Sequence, residues 1–386
     1  MERQQRLELV DALRAFALFG LYIVHMVEQF ELYWLDPKGG PIYDWVFGLF
    51  AGKAFALFAL CFGLSFFIIM DRAAQRGVDF TRRFVWRLAV LFGLGLLHTA
   101  VYRGDILTVL APLGLVLIPF DRIRNNAVLI AIAVVCFLQP QLVGMALAGV
   151  SQAPHFTEDP SLAVLGSTRS LIETVRINLT DGAAVKYWYM LETGRVTQII
   201  GLFLIGLVLG RSGFFAEPER FALSRRLGFV ATLALYVVLR EERGSLVDPF
   251  GAGQAADYMG FAVDSWTNLA LMGAEMLGFL ELCAWVPALM RLLAPVGRMT
   301  LSLYVGQSLV FVPVYYGFGL DLHEELSQAA SLLIGLAAFA AQVAFAHLWF
   351  RRFHYGPLEW VWRALTYLSR DVPFVRRTGS ASAAAA

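Results

Sequence analysis

DALRAFALFGLYIVHM, residues 11–26, decides the fold. Asp11 and Arg14 open the stretch, His25 closes it, and the residues between Arg14 and His25 carry no charge. A soluble amphipathic helix keeps a polar face along its length. This run does not, and it approaches the roughly 17–25 residues that cross the hydrocarbon core of a bilayer. On a helix, the interval from Arg14 to His25 rises about 16–17 Å in about three turns. The two side chains therefore share a face at different depths.

The same pattern continues along the 386 residues. The chain is 58% hydrophobic and 16% charged, with a mean hydropathy of +0.63, whereas soluble domains are about a quarter charged. Apolar blocks fall at 10–29, 45–70, 86–102, 105–120, 126–146, 190–210, 226–241, 265–289, 299–318 and 328–349. Blocks of this length predict an all-α, polytopic membrane protein with about ten transmembrane helices. Residues 1–370 read as one membrane domain, and 371–386 as a disordered tail or cloning scar. The first block lacks a small-residue cleavage site and is expected to be retained. Cys61, Cys136 and Cys283 all lie in apolar blocks, as small core residues do. A net charge of +1 gives no reason to expect a nucleic-acid partner.

Most of the 31 Lys and Arg residues fall in segments 1–9, 71–86, 121–125, 211–225, 290–298 and the tail from Arg351. The alternate loops carry acids such as Glu31, Asp36, Asp44, Asp159 and Glu325. This bias predicts that both termini are cytoplasmic. The long loop 147–189 is then outside. Its Leu162, Leu165, Leu171, Ile172, Val175 and Ile177 recur at helical spacing, which predicts an amphipathic helix on the outer membrane face.

Ionisable groups within spans mark pathways or sites. Arg14 also fits a snorkelling arginine, and His25 a headgroup-level histidine. Asp11 is placed to pair with Arg14 or to favour the first helical turn. Arg87 and His98 repeat the Arg14–His25 interval on the third span. Asp105 follows closely, able to orient an imidazole or to cap a helix. Glu192 and Arg195 read as a neutralising pair, and Glu275 as an acid needing a partner or a cavity. Arg298, Ser302, Tyr304 and Gln307 bring polar groups to the ninth span, where they suit interhelical hydrogen bonds. No Walker motif, HExxH motif or Cys/His cluster occurs, so neither a metal nor a nucleotide motif is expected.

Several longer pieces together resemble one family. They are LVDALRAFALFGLYIVHM, KAFALFALCFGLSFF, RRFVWRLAVLFGLGLLH with GDIL, IIGLFLIGLVLGRSGFF, APVGRMTLSLYVGQSL and HYGPLEWVWRALTY, which run in order between Asp11 and Tyr367. The chain resembles the YeiB-like family of bacterial membrane proteins, which carry domain of unknown function 418. That family is distantly similar to transmembrane acyltransferases, namely the acyltransferase type-three proteins and heparan-alpha-glucosaminide N-acetyltransferase. The resemblance implies a bacterial inner-membrane enzyme of about ten helices, taking acyl-CoA from the cytoplasm and an acceptor outside. In type-three proteins an Arg, ten residues and a His on the first helix form a functional signature, which Arg14 and His25 match by spacing. YeiB-like proteins more often have Asn at the position of His25 and Gly at that of Ala15.

The leading expectation is acyl transfer across the membrane. Arg82, Arg83 and Arg87, with Arg14 and Arg298, would meet the phosphates of acyl-CoA, because guanidinium forks suit phosphate oxygens. His25 or His98 would act as general base, oriented by Asp105, on a cell-envelope sugar or lipid acceptor. Gln307 would stabilise the oxyanion, with Asp11 and Ser302 as polar support. Membrane lipids are the expected surroundings. The alternatives are a transporter or flippase for an amphiphilic substrate, in which the histidines relay protons, and a non-catalytic scaffold.

Overall fold

The structure, a computed structural model, describes residues 2–376; the closing GSASAAAA stretch lies outside the described residues. These residues form helices and no strand, apart from an isolated antiparallel bridge between Phe353 and Val375. The protein is an all-α polytopic membrane protein.

Helix α1 (Glu2–Val27) lies at the centre. Ala12, Leu13, Ala15, Ala17 and Leu18 are buried on its successive sides, as expected for a helix without a polar face. The apolar run after it is broken at Ala51–Gly52 into α2 (Pro41–Phe50) and α3 (Lys53–Ala74). Gly52 has φ +80°, a left-handed conformation that glycine adopts without steric cost. Next come α4 (Thr81–Val101), α5 (Leu107–Leu113) and α6 (Leu117–Asp121). Then α7 (Asn126–Phe137) and α8 (Pro140–Leu147) are kinked apart at Gln139–Pro140. The long loop folds as α9 (Pro160–Ser167), α10 (Leu171–Leu179) and α11 (Asp181–Glu192). Beyond Gly194 lie α12 (Arg195–Ser212), α13 (Ala222–Glu241), α14 (Arg243–Val247) and α15 (Gln254–Trp285). The chain ends with α16 (Pro287–Gly297), α17 (Thr300–Tyr315), α18 (Gln328–Arg352) and α19 (Pro357–Tyr367).

Among the described residues, 7 helical stretches are long and apolar enough to cross a membrane: Glu8–Leu35, Pro41–Ala74, Thr81–Val101, Asn126–Leu147, Arg195–Ser212, Ala222–Glu241 and Gln328–Arg352. The other three expected spans are helical but differ in kind. Leu107–Asp121 and Thr300–Tyr315 are shorter, and the apolar half of α15 is interrupted by Asn268, Glu275 and Glu281. The outer surface is oily. On α13, Leu223, Leu227, Val230, Leu235 and Val238 are exposed while Arg225 is buried against Glu281. A helix with that inverted polarity suits lipid.

Two regions depart from the sequence reading. The loop 147–189 is not one helix lying on lipid. Asp159 caps α9 through the amides of Ser161 and Leu162, and Ser170 caps α10 through Glu173 N, so the apolar periodicity is split. Leu165 and Ile177 are buried in protein, whereas Leu171 and Ile172 stay exposed. Residues 371–376, set aside with the tail, fold back onto the chain. His354 N donates to Phe374 O at 2.9 Å, Arg376 N to Arg352 O at 2.8 Å, and Trp360 Nε1 to Val372 O at 2.9 Å.

The packing of α3 on α12 sets the geometry of the site. A Cβ on Gly63 would lie 2.1 Å from Phe203 O, and one on Gly206 would lie 2.2 Å from Leu60 O. Neither fits, so the backbones touch where both residues lack a side chain, as in tightly packed membrane helices. Gly52 meets Arg195, Gly63 meets Phe203 and Phe67 meets Gly210 in ascending register, so the two helices run parallel. Their N-termini, Lys53 and Arg195, therefore emerge side by side.

Candidate functional site

A cavity of about 800 Å³ opens at this end of the bundle, within the range of small-molecule sites. The end of α1 supplies His25, Glu28 and Glu31, and α3 supplies Lys53. The end of α4 supplies Tyr102 and Arg103; α11 supplies Lys186 and Tyr189; α12 supplies Arg195; and α15 supplies Asp264 and Asn268. Trp34, Phe47, Phe50, Phe55 and Phe156 give the walls a strongly aromatic character.

His25 is placed by the way α1 ends. Gln29, Phe30 and Glu31 have φ of 52°, 51° and 80°, three successive non-glycine residues in a region that side chains disfavour. Contacts hold them there: Gln29 Nε2 donates to Leu326 O at 2.8 Å, Tyr316 Oη to Phe30 O at 2.9 Å, and Phe30 N to His25 O at 2.7 Å. Such over-determined strain is common where function needs a fixed geometry. The turn brings Glu28 under His25, with Oε1 2.7 Å from Nδ1, while Trp34 Nε1 donates to Glu28 Oε2 at 3.3 Å. Tyr102 Oη lies 3.0 Å from the same Nδ1.

His98 forms a second such unit one layer further in. Its Nδ1 is 2.8 Å from Asp105 Oδ1, and both side chains are buried. Asp105 also accepts from Thr108 N at 2.8 Å through Oδ2, so orienting the imidazole and capping the helix coexist. The Tyr304 ring packs on His98 with centroids 4.8 Å apart, and Tyr102 lies between the two imidazoles. In both histidines Nε2 is buried without a hydrogen-bond partner. A carboxylate on Nδ1 favours the tautomer with its proton there, leaving Nε2 as acceptor.

Charge around the cavity is partly paired. Arg103 reaches Glu31 Oε2 at 2.5 Å and Asp159 Oδ2 at 2.7 Å, tying three loops together. These contacts hold the Arg103 guanidinium above its ordinary pKa against the opposing effect of burial, and hold the Asp159 carboxyl below its own. Burial pushes the Lys186 ammonium down, while Asp105 and Glu31 oppose the shift. Lys186 Nζ donates to Thr108 Oγ1 at 2.9 Å.

The remaining sequence-predicted groups lie elsewhere. Arg14 bonds Asp11 at 2.8 Å and Ser65 Oγ at 2.5 Å. Arg87 lies 3.5 Å over the Trp362 ring, Arg83 5.2 Å over Tyr367 and Arg298 4.0 Å over Phe350; Arg82 is exposed. None of these arginines lines the cavity. Gln307 donates to Gln342 at 2.8 Å, joining α17 to α18, and does not line the cavity. Ser302 donates to Glu359 Oε2 and accepts from Leu358 N at 2.9 Å, clamping α19 to α17. Glu192 and Arg195 are not a pair. The left-handed Gly194 separates their helices; Glu192 takes His155 Nδ1 at 2.6 Å, and Arg195 turns into the cavity. The sequence reading did not single out Glu28, Lys53, Tyr102, Arg103 or Lys186 as site residues. The available signals were a glycine before Lys53 inside an apolar run and a second acid one turn after His25. Among the described residues, no group of His, Cys, Asp and Glu could hold a metal ion.

Residues 6–174 match the family model described as heparan-alpha-glucosaminide N-acetyltransferase, catalytic. Residues 209–369 match that of a protein of unknown function, DUF418. The chain is 27% identical to uncharacterized protein YxaH of Bacillus subtilis (strain 168), with 97% of each chain covered. It is 27% identical to uncharacterized protein YeiB of Escherichia coli (strain K12), with 95% of this chain and 97% of that one covered. It is 24% identical to an uncharacterized 39.9 kDa protein in the amylase 3' region of Bacillus acidopullulyticus, over 96% of each. The similarity to YeiB-like proteins thus extends over nearly the whole chain. Both histidine–carboxylate units lie within the part similar to an acetyltransferase catalytic region.

Proposed function

Starting from a chain similar end to end to YeiB-like proteins, and over 6–174 to an acyltransferase catalytic region, we propose that it transfers an acyl group from acyl-CoA to an acceptor held in the cavity. The observation that carries this reading is His25 at the cavity wall, with Glu28 on Nδ1 and a buried, unpartnered Nε2. In the proposed reaction Nε2 takes the proton of the acceptor O–H or N–H as the oxygen or nitrogen attacks the thioester carbonyl. The tetrahedral intermediate then expels the thiolate by breaking the C–S bond, and the imidazolium returns the proton to that sulfur. Tyr102, 3.0 Å from His25 Nδ1, and the His98–Asp105 unit behind it hold the imidazole in place.

The charge bias of the loops would place the cavity at the outer face of a bacterial inner membrane, with the acceptor a cell-envelope sugar or lipid. Arg82, Arg83 and Arg87, with Arg14 and Arg298, would receive the CoA phosphates at the opposite end. Below Leu21, α1 packs closely on Phe50 and Ala54 through Gly20, so the thioester arm would have to part this contact to reach His25.

The test is transfer of labelled acyl groups by purified protein in lipid. His25→Ala should lower kcat by about 10²-fold or more, the usual contribution of a general base. His98→Ala should lower it less, through loss of positioning. Unchanged kcat in His25→Ala, or no transfer by wild type to any envelope acceptor, would overturn the reading.

A further inference from the structure

Three cations line the cavity without a carboxylate in ion-pair contact, and their placement points to the ligand. Lys53 and Lys186 are 6% and 8% exposed. Lys53 Nζ has the Phe47 carbonyl at 3.1 Å, Lys186 has the Thr108 hydroxyl, and Arg195 has the Tyr189 hydroxyl at 3.4 Å. Among the described residues, no carboxylate lies within ion-pair distance, 4.0 Å, of any of the three. The acids nearby are already engaged. Glu28 is on His25, Glu31 and Asp159 are on Arg103, Asp105 is on His98, and Asp264 is on Arg243. Glu275 on α15 faces Lys53 from a longer distance. Asp264 also faces Lys53, and Asp105 and Glu31 face Lys186, again from beyond ion-pair distance, so none of these acids takes a direct contact from the three cations.

Buried charge without a counter-ion in direct contact is costly, and an ordinary fold pairs it. Here the cost is kept by construction. The Gly63–Gly206 contact sets two helix N-termini side by side, so the positive ends of α3 and α12 add to the side chains they carry. A Cβ on Gly52 would lie 3.1 Å from Arg195 Nη2, so the guanidinium rests on the turn that begins α3. A guanidinium fork beside the Lys53 ammonium, with that of Lys186 in the same cavity, suits the several oxygens of a phosphate better than a single carboxylate.

We propose that Lys53, Lys186 and Arg195 form a binding site for a phosphate ester, which is the acceptor under the acyl-transfer reading on which that role rests. The aromatic wall of Trp34, Phe47 and Phe55 then receives the part of the ligand beyond the phosphate. Lys186 and Arg195 lie in 175–208, between the two matched family regions. Two of the three cations therefore lie in a segment that neither model covers, while Lys53 lies within 6–174 with the histidine units.

The phosphate has two sources, a water-soluble ester or a lipid headgroup. Calorimetric titration of purified protein in nonionic detergent, without acyl-CoA, distinguishes them. Glycerol 3-phosphate and dioctanoyl phosphatidic acid are the probes, with glycerol and dioctanoylglycerol as neutral controls. Binding of the first probe marks a soluble ester, and binding of the second alone marks a lipid. Either affinity should fall about tenfold or more in Arg195→Gln and in Lys53→Gln, as expected for loss of a charge-assisted hydrogen bond. Arg195→Lys should recover part of it, and thermal unfolding of each variant separates lost binding from lost folding. Absence of binding above the neutral controls, or unchanged affinity in folded Arg195→Gln and Lys53→Gln, would overturn the proposal. Because no acyl-CoA is present, failure of acyl transfer would leave this site standing, and failure of this site would leave acyl transfer standing.

Discussion

At the scale of single residues, acids decide what their neighbours do. Glu28 and Asp105 each fix an imidazole, and Glu359 fixes a helix junction by accepting from Leu301 N at 2.7 Å, Ser302 N at 3.1 Å and the Ser302 hydroxyl. Burial pushes the Glu359 carboxyl above 4.5 although these donors pull the other way. The folded chain then holds this proton more tightly than the unfolded chain. Its contribution to stability is fully present below the ordinary carboxylate value and is lost as pH rises through the folded one. The unfolding temperature should therefore decline as pH rises above the ordinary carboxylate value, and Glu359→Gln should flatten that part of the profile. A profile unchanged by the substitution would show the acid to be irrelevant to it. The Arg14–Asp11 contact and a carboxylate for His98 were legible because both partners lie close in sequence. The Glu359–Ser302 and Arg103–Glu31 contacts were not, because packing joins residues from different helices.

At the scale of helices, glycine governs distance and direction. Gly206 lets α12 lie on α3, and that contact aligns the ends bearing Lys53 and Arg195. Gly206→Val should destabilise the fold by about 1–3 kcal/mol, the usual cost of overpacking, and weaken phosphate binding although the residue is remote from the cavity. Unfolding and titration of the same sample check both. Gly52→Ala acts on the same end through backbone conformation. At φ +80° a side chain costs about 1–2 kcal/mol, and its methyl group would crowd Arg195. The apolar blocks revealed where helices lie because hydropathy is local. They did not reveal the breaks at Gly52 and Gly194, where a single left-handed residue turns a continuous span into two elements and redirects a cation. The amphipathic reading of 160–177 failed for a related reason. Apolar periodicity cannot distinguish a face laid on lipid from one laid on protein.

At the scale of the whole molecule, the two polar ends differ in kind. One gathers arginines over aromatic rings; the other encloses carboxylate-bound histidines and cations without an ion-pair contact. If the arginine end takes the donor, Arg82→Gln with Arg83→Gln should raise KM for acyl-CoA several-fold at unchanged kcat, more so at low salt. Equal KM would remove those residues from donor binding. Orientation is testable separately. In a cysteine-free background, Gly149→Cys should react with a membrane-impermeant maleimide on intact cells and Val78→Cys only after lysis. The opposite pattern would invert the topology. The composition made membrane residence plain, and the loop charges gave the expected orientation. The cavity itself was not readable, since its walls come from six separated stretches of chain.

Arg103 bears on how this molecule is made. Its two carboxylates, Glu31 and Asp159, belong to loops synthesised well before and well after it. Synthesis proceeds from the N-terminus, so a nascent chain that has emerged only as far as α8 holds Arg103 with one of its two acids. Completion of the long loop supplies the other and draws α9 onto the rim of the cavity. The same three side chains that shape the cavity wall thus give membrane insertion a defined intermediate step, and Asp159→Asn should lengthen the lifetime of a protease-sensitive, partly assembled form in pulse-chase.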